Sequence, residues 1–251
     1  MSAAMSTLLR TEGLRLAFGG VVAADGIDFS LDEGERLAVI GANGAGKTTF
    51  INICTGFIRP DAGTIWFDGH DVTSRRPREI VRLGLGRSFQ LPQLFLDHSV
   101  RQCLELAAVG RAHKLSWFKP LASSVDAGEV DHALELVGLR DRAHEPASSL
   151  PEGLRKLLDV AMALMLKPKL LIMDEPTSGV ASEDKHELMA TVMAALDERK
   201  VTSWFVEHDV DIVTRYATRV AAWIAGKIAA DGAPAEVMND DRVRREVLGT
   251  N

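Results

Sequence analysis

The sequence predicts an α/β protein: a mixed sheet covered by helices, with an antiparallel β subdomain and an inserted helical subdomain. Three observations point there. The apolar run of residues 36–40 leads into a glycine-rich turn and then into a stretch able to continue as a helix. From about residue 79 to residue 166 the β-branched content falls and apolar residues recur at helical spacing. After residue 167, strand-like and helix-like segments alternate again, the pattern of a parallel sheet with helices on both faces.

Taken in order, residues 7–40 read as β structure. Leu14, Leu16 and Phe18 alternate with polar or small residues, and Ile27, Phe29 and Leu31 do so after an expected turn at Asp25-Gly26. Asp32-Glu33-Gly34 is a second turn, leading into the strand 36–40. A helix starts at Gly46 and ends near Gly56 and Pro60, and Thr64-Ile65-Trp66-Phe67 with Asp68-Gly69 forms a strand and hairpin turn. Helices are expected over 100–109, 130–137 and 151–166, the last stopped by Pro168. Residues 114–120, with Trp117 and Phe118, form a loop carrying an exposed aromatic pair. Strands follow at 169–174, 203–206 and 220–224, a helix at 183–199, and two short helices between 234 and 248. This gives one domain of 251 residues: a core of 7–89 and 167–230, a helical subdomain of 90–166, and a short helical tail of 231–251.

The segment Gly41-Ala42-Asn43-Gly44-Ala45-Gly46-Lys47-Thr48 matches the pattern G-x-x-x-x-G-K-[ST] at every fixed position. Its glycines let backbone N–H groups converge on phosphate oxygens, the helix N-terminus adds a partial positive charge, and Lys47 supplies a full one. Thr48 is placed to offer its hydroxyl to Mg²⁺. Asp174 closes an apolar strand and Glu175 follows it, so the first carboxylate can hold the cation and the second can polarise a water. Gln90, at the boundary of core and insertion, is placed to sense Mg²⁺ or that water. His208 follows the strand 203–206, where it can reach the γ-phosphate.

Composition narrows the class. A net charge of −6 and a pI near 5.7 carry no general nucleic-acid footprint. Cys54 and Cys103, the two cysteines, lie in apolar helical surroundings and read as reduced core residues. No apolar run approaches the roughly 20 residues needed to cross a bilayer, and the first residues lack the pattern of a signal peptide. The expectation is a cytoplasmic chain whose membrane role comes through partners.

With these segments in hand, the chain resembles the nucleotide-binding subunit of an ATP-binding cassette (ABC) transporter over essentially its full length. Phe18-Gly19-Gly20, the loop 41–49, Arg87-Ser88-Phe89-Gln90, Glu207-His208-Asp209 and Val247-Leu248-Gly249 are similar to cassettes of the branched-chain amino-acid uptake type. The resemblance implies a head-to-tail dimer with two ATP molecules at the seam, peripheral on the cytoplasmic face of the membrane. It also implies permease subunits and, indirectly, a solute-binding protein as partners. By the same resemblance Phe18 stacks on adenine; Gly41, Asn43, Gly44, Ala45, Gly46, Lys47, Thr48 and Thr49 bind phosphates; and Thr48, Gln90 and Asp174 serve Mg²⁺. Glu175 is then the general base, His208 holds the γ-phosphate, and Gly153 contacts the neighbour's ATP in trans. A groove beside Gln90, with Leu91, Leu94, Phe95 and Leu96, would receive a permease helix.

Two departures stand out. The signature commonly written Leu-Ser-Gly-Gly-Gln is here Leu150-Pro151-Glu152-Gly153-Leu154, in which Pro151 offers neither a hydroxyl nor an N–H. Glu152 adds a negative charge where an anion should sit, so its side chain must turn away or pair with a cation. Ala181 stands where the family carries a polar residue that senses the second site. These departures motivate an alternative, an assembly-only cassette with a degenerate signature, against which Glu175 and His208 argue. A chromosomal cassette is disfavoured because the interval before Asp174 has no sustained heptads, a ribosomal one because there is a single cassette, and a small GTPase because no Asn-Lys-x-Asp segment occurs.

Overall fold

The computed structural model describes residues 6–88, 94–111 and 125–249. Gln90, Leu91 and the loop with Trp117 and Phe118 lie outside the described residues. Strand β1 (Thr7–Phe18) turns at Gly19-Gly20 into β2 (Val21–Asp32), and the two pair antiparallel. Strand β3 (Arg36–Gly41) runs into the phosphate loop and helix α1 (Lys47–Cys54). β4 (Ala62–Phe67) and the two-residue β5 (His70–Asp71) complete a four-stranded sheet of order β2-β1-β4-β5. After α2 (Pro77–Leu83) and β6 (Leu85–Ser88) come the helices of the insertion: α3 (Val100–Arg111), α4 (Ala127–Leu136) and α5 (Glu152–Met165). The core resumes with β7 (Leu170–Asp174), α6 (Lys185–Glu198), β8 (Thr202–Val206), α7 (Val210–Tyr216), β9 (Arg219–Ile224) and β10 (Lys227–Gly232). Short helices α8 (Pro234–Met238) and α9 (Asp241–Val243) and a wider turn, Arg244–Leu248, close the described chain.

The second sheet has the order β10-β9-β3-β8-β7-β6, parallel except for β10, which runs antiparallel to β9. Its inner strands are apolar throughout because both faces are covered. Alternation along each strand divides them between two cores. Ala38, Ile40, Leu171, Met173, Phe205 and Ala222 face the helical insertion and α6. Leu37, Val39, Ile172, Trp204, Val206 and Trp223 face α1 and the β subdomain. There Phe50 of α1 packs its ring against Phe29, Trp204 and Trp223 at centroid separations of 5.6, 5.4 and 5.0 Å. The helix that follows the phosphate loop is thereby anchored by aromatic rings from β2, β8 and β9. Both cysteines are buried free thiols, and burial pushes the Cys54 thiol up.

Several local expectations are corrected. Asp25-Gly26 is no turn: β2 continues through it, with an irregular register toward β1 and Gly26 at φ +68°, and the chain reverses at Gly19-Gly20. The stretch after residue 79 is not wholly helical, since β6 lies within it and pairs with β7. Strand β10 and helix α7 carried no distinct sequence signal and are additions. No helix among the described residues is long and apolar enough to cross a membrane.

The helices of the insertion share an apolar core with one face of the sheet, and several ion pairs add to it, among them a cluster around Glu129. Both guanidinium Nη atoms of Arg111 lie 2.8 Å from the Glu129 carboxylate, Arg111 also donates to the carbonyl of Met165 at 2.9 Å, and Lys167 adds a contact at 3.2 Å. Hydrogen bonds from Arg111, and then from Lys167, hold the Glu129 carboxyl down to about 2. A depressed carboxyl pKa stabilises the fold above the unfolded value near 4.5 and loses that contribution as the pH falls toward the folded one. Glu129→Gln should therefore lower stability by on the order of 1–2 kcal/mol at pH 7. In urea titrations the gap to the unaltered chain should narrow between pH 4.5 and pH 3. A gap constant with pH would contradict the assignment.

Candidate nucleotide site

The parallel register sets the ends of β3, β8 and β7 side by side: Val39 pairs with Val206, and Val206 with Asp174. The phosphate loop, the Asp174-Glu175 pair and the Glu207-His208 pair thus leave the sheet along one edge, where ligands of such sheets bind.

The loop itself leaves no room for side chains at two glycines. A Cβ on Gly41 would stand 2.5 Å from the carbonyl oxygen of Trp223. One on Gly46, whose φ is +103°, would stand 2.5 Å from that of Ala23. The carbonyl of Ala45 accepts from the N–H of Gly226 at 2.8 Å, so the β9–β10 turn braces the loop from outside. Asn43, Gly44 and Thr48 are exposed, Gly46 and Thr49 half-buried, and Ala45 buried. Helix α1 has no acid in its first turn and no side-chain cap, which leaves its first N–H groups for a ligand.

Lys47 is buried, and its Nζ donates to the carbonyls of Gly41 (2.5 Å) and Ala42 (3.0 Å). Burial pushes its ammonium down, against the pull of Glu175 and Asp174. Asp174 is buried at the end of β7 with Arg87 Nη2 at 3.3 Å. Arg87 Nη1 reaches Asn52 Oδ1 at 2.6 Å, so one guanidinium ties α1, β6 and β7 together. Desolvation raises the Asp174 carboxyl despite Arg87. Its carboxylate and the hydroxyl of Thr48 are hard oxygen donors suited to Mg²⁺. Among the described residues no group of three or more His, Cys, Asp or Glu side chains could hold a metal by itself, and a cation at Asp174 would draw further ligands from the Thr48 hydroxyl, phosphate oxygens and water.

Glu175 adopts φ +53°. Its N–H donates to the carbonyl of Val206 at 3.0 Å, and its Oε1 lies 3.0 Å from Nε2 of His208. The histidine ring is 45% exposed, so it can meet a ligand arriving at the loop. Phe18, 51% exposed, sits at the tip of the β1–β2 hairpin among exposed Val21 and Val22. The residue after Val22, Ala23, has its carbonyl against Gly46. Gly153 lies in the first turn of α5, beside Val180 and Leu188. There the Glu152 carboxyl turns onto Gly179: a Cβ on that glycine would stand 2.6 Å from its carboxyl carbon. Ala181 is exposed nearby, as are Phe95 and Leu96, while Leu94 is half-buried.

From sequence, Glu207 figures only within the segment Glu207-His208-Asp209, with no role of its own. It is buried, and Oε1 accepts from both the N–H (2.9 Å) and the hydroxyl (2.7 Å) of Thr177, while Oε2 accepts from the N–H of His208 at 3.2 Å. It joins the loop after Glu175 to the loop bearing the histidine. The only available signal was an acid placed directly after an apolar strand.

On this fold, a phosphate loop facing a strand-end carboxylate pair and a histidine is the site of an ATP-binding cassette. The family model described as ABC transporter matches residues 24–178, and the chain belongs to that family. The chain is 35% identical over 248 residues to a probable branched-chain amino acid transport ATP-binding protein, LivG, of Archaeoglobus fulgidus, covering 96% of this chain and 95% of the relative. It is 31% identical over 249 residues to the high-affinity branched-chain amino acid transport ATP-binding protein BraF of Pseudomonas aeruginosa, covering 96% and 98%. Among solved structures, the ADP conformation of MJ1267, an ATP-binding cassette of an ABC transporter, superposes with a TM-score of 0.82 at 32% identity, covering 96% and 98%.

Glu207→Ala would strand the two buried donors of Thr177 and is expected to cost about 2–3 kcal/mol. Glu207→Gln, which keeps an acceptor, should cost less. Equal unfolding midpoints for both variants and the unaltered chain would contradict this role.

Proposed function

We propose that the chain is the ATP-hydrolysing subunit of an importer for branched-chain amino acids or a related small solute. It pairs with a second cassette, identical or paralogous, on the cytoplasmic face of a membrane. The observation that carries the hydrolytic part is the Glu175–His208 contact of 3.0 Å beside the phosphate loop. It supports reading Glu175 as a base and His208 as a phosphate-binding imidazole on the same side of the loop. The transported solute is read from the relatives named above, since this site contacts only nucleotide.

In this reading Phe18 stacks on adenine, and the N–H groups of residues 41–49 receive the phosphates. Lys47 exchanges its two carbonyl partners for phosphate oxygens, a stronger, charge-assisted pairing. Thr48, Asp174 and Gln90 would hold Mg²⁺, which would supply positive charge to the outer phosphates. Glu175 takes a proton from the attacking water as its oxygen bonds to the γ-phosphorus and the bond to the β-phosphate oxygen breaks. His208 donates to the γ-phosphate oxygens.

Gly153 serves the neighbour's ATP. Pro151 removes two donors there, a hydroxyl and an N–H, and Glu152, turned onto Gly179, leaves the helix N–H groups of α5 as the remaining contacts. A partner with a fuller signature would complete the site at this chain's own phosphate loop. Closure of the pair on ATP and its opening after hydrolysis drive permease subunits, with a solute-binding protein delivering the cargo. Phe95 and Leu96, exposed on the described side of the Gln90 segment, supply apolar surface for a permease helix.

Glu175→Gln should lower ATP turnover by about 100-fold or more while ATP binding, followed by a fluorescent analogue, is retained. Turnover unchanged in this variant would refute the role of Glu175. ATP binding without turnover in the unaltered chain, alone and with its co-purified permease, would favour the assembly-only alternative.

A further inference from the structure

Helix α5 carries two charged side chains at positions where packing alone calls for apolar ones. Lys156 and Asp159 are 5% and 8% exposed, and their neighbours on the helix are Leu157, Leu158, Val160 and Ala161, all buried. Burying an ammonium costs several kcal/mol unless it is paired, so an aliphatic residue at 156 would stabilise the helix at least as well. The charge is directed at one atom. Lys156 Nζ donates to the carbonyl oxygen of Glu175 at 3.1 Å, while Glu152, Glu207, Glu175 and Asp159 supply the surrounding negative charge. One helical turn on, Asp159 Oδ2 accepts from the hydroxyl of Ser88 at 2.6 Å, at the end of β6.

The partner atom matters because of the backbone it belongs to. Glu175 sits at φ +53°, a left-handed conformation that costs a non-glycine residue about 1–3 kcal/mol and persists only where surroundings over-determine it. Among the described residues, three hydrogen bonds hold the backbone on either side of its Cα. Its N–H donates to Val206, and its carbonyl accepts from the N–H of Ser178 at 3.1 Å and from Lys156. The first two come from the core itself. The third comes from the helix that starts at the signature. These bonds flank the Cα from which the Glu175 side chain projects toward His208, so they fix the backbone that aims the carboxylate.

We propose that Lys156 is the positioning residue of Glu175: its buried ammonium fixes the Glu175 peptide so that the carboxylate faces His208 and the attacking water. Asp159 holds the same helix to the end of β6, two residues before Gln90. One helix thereby sets both strand ends that border the hydrolytic centre. Displacement of α5 at its N-terminus, where Gly153 lies, is transmitted to the base through Lys156.

The proposal rests on ATP hydrolysis by this site, and its test separates the two. The full-length chain, Lys156→Met, which keeps the stem and removes the donor, and Lys156→Arg, which keeps a donor, are compared in ATP turnover and in backbone hydrogen exchange at residues 175–179. The expected result for Lys156→Met is a kcat lower by about 10-fold or more, a KM for ATP within about twofold, and faster exchange at Ser178. The arginine variant should recover most of the loss in kcat. Should the methionine variant fail to fold, Lys156→Leu, which also lacks a donor, provides the same comparison. Unaltered kcat and exchange in the variant lacking the ammonium overturn the proposal. So does a loss of kcat matched by an equal loss of ATP affinity, or one the arginine fails to restore. Absence of turnover in the unaltered chain would refute the hydrolytic reading instead, and the exchange at Ser178 would still decide whether Lys156 holds the Glu175 peptide.

Discussion

The parallel register of β3, β8 and β7 is the constraint on which the site depends. Pairing Val39 with Val206 and Val206 with Asp174 brings three chain segments, far apart in sequence, to one sheet edge. Side chains on these strands alternate between two cores, so a slip of one residue would exchange the faces of every strand position. Apolar residues on both faces would still be buried after such a slip. Their shapes would not fit, because Trp204 and Phe205 are large neighbours with separate destinations. Trp204 meets Phe50 of α1, and Phe205 packs toward the helical insertion. Packing specificity in the cores thus fixes the chemistry at the strand ends.

At that edge the protein concentrates charge that it would be more stable without. Asp174 has its carboxyl raised by burial, and Lys47 has its ammonium pushed down by the same cause. Each is partly compensated: Asp174 by Arg87, and Lys47 by the carbonyls of Gly41 and Ala42. Such partial compensation suits a site that must bind a highly charged ligand. In the proposed function, phosphates and a cation would complete the pairing that the chain alone leaves modest. Glu207 is the contrasting case, a buried carboxylate whose three contacts come from the chain itself and whose work is structural.

Much of this was legible in the sequence for local reasons. The phosphate loop needs glycines at fixed spacing between a strand and a helix, and β7 is an unbroken apolar strand closed by an acid. Elements that depend on distant partners were not legible. Strand β6 has four residues, one of them Gly86, and is a strand only because β7 pairs with it. The Asp25-Gly26 pair has turn chemistry, yet two paired strands carry it through as an irregular extended segment. Glu207 finds Thr177 across 30 residues of chain, and Lys156 finds the Glu175 carbonyl across 19. The visible clue for the latter pair was a charge on a helix whose neighbouring positions are apolar, which has meaning only once that helix is known to be buried.

The central claim is that Lys47, Asp174, Glu175 and His208 surround the outer phosphates of one ATP molecule. A crystal structure of the Glu175→Gln chain with ATP and Mg²⁺ tests it most directly. The account predicts Lys47 Nζ released from the carbonyls of Gly41 and Ala42 and bonded to phosphate oxygens. It also predicts His208 within hydrogen-bonding distance of the γ-phosphate, and the cation between Asp174 and Thr48. Nucleotide bound elsewhere, or bound at the loop with Lys47 still on those two carbonyls, would contradict it.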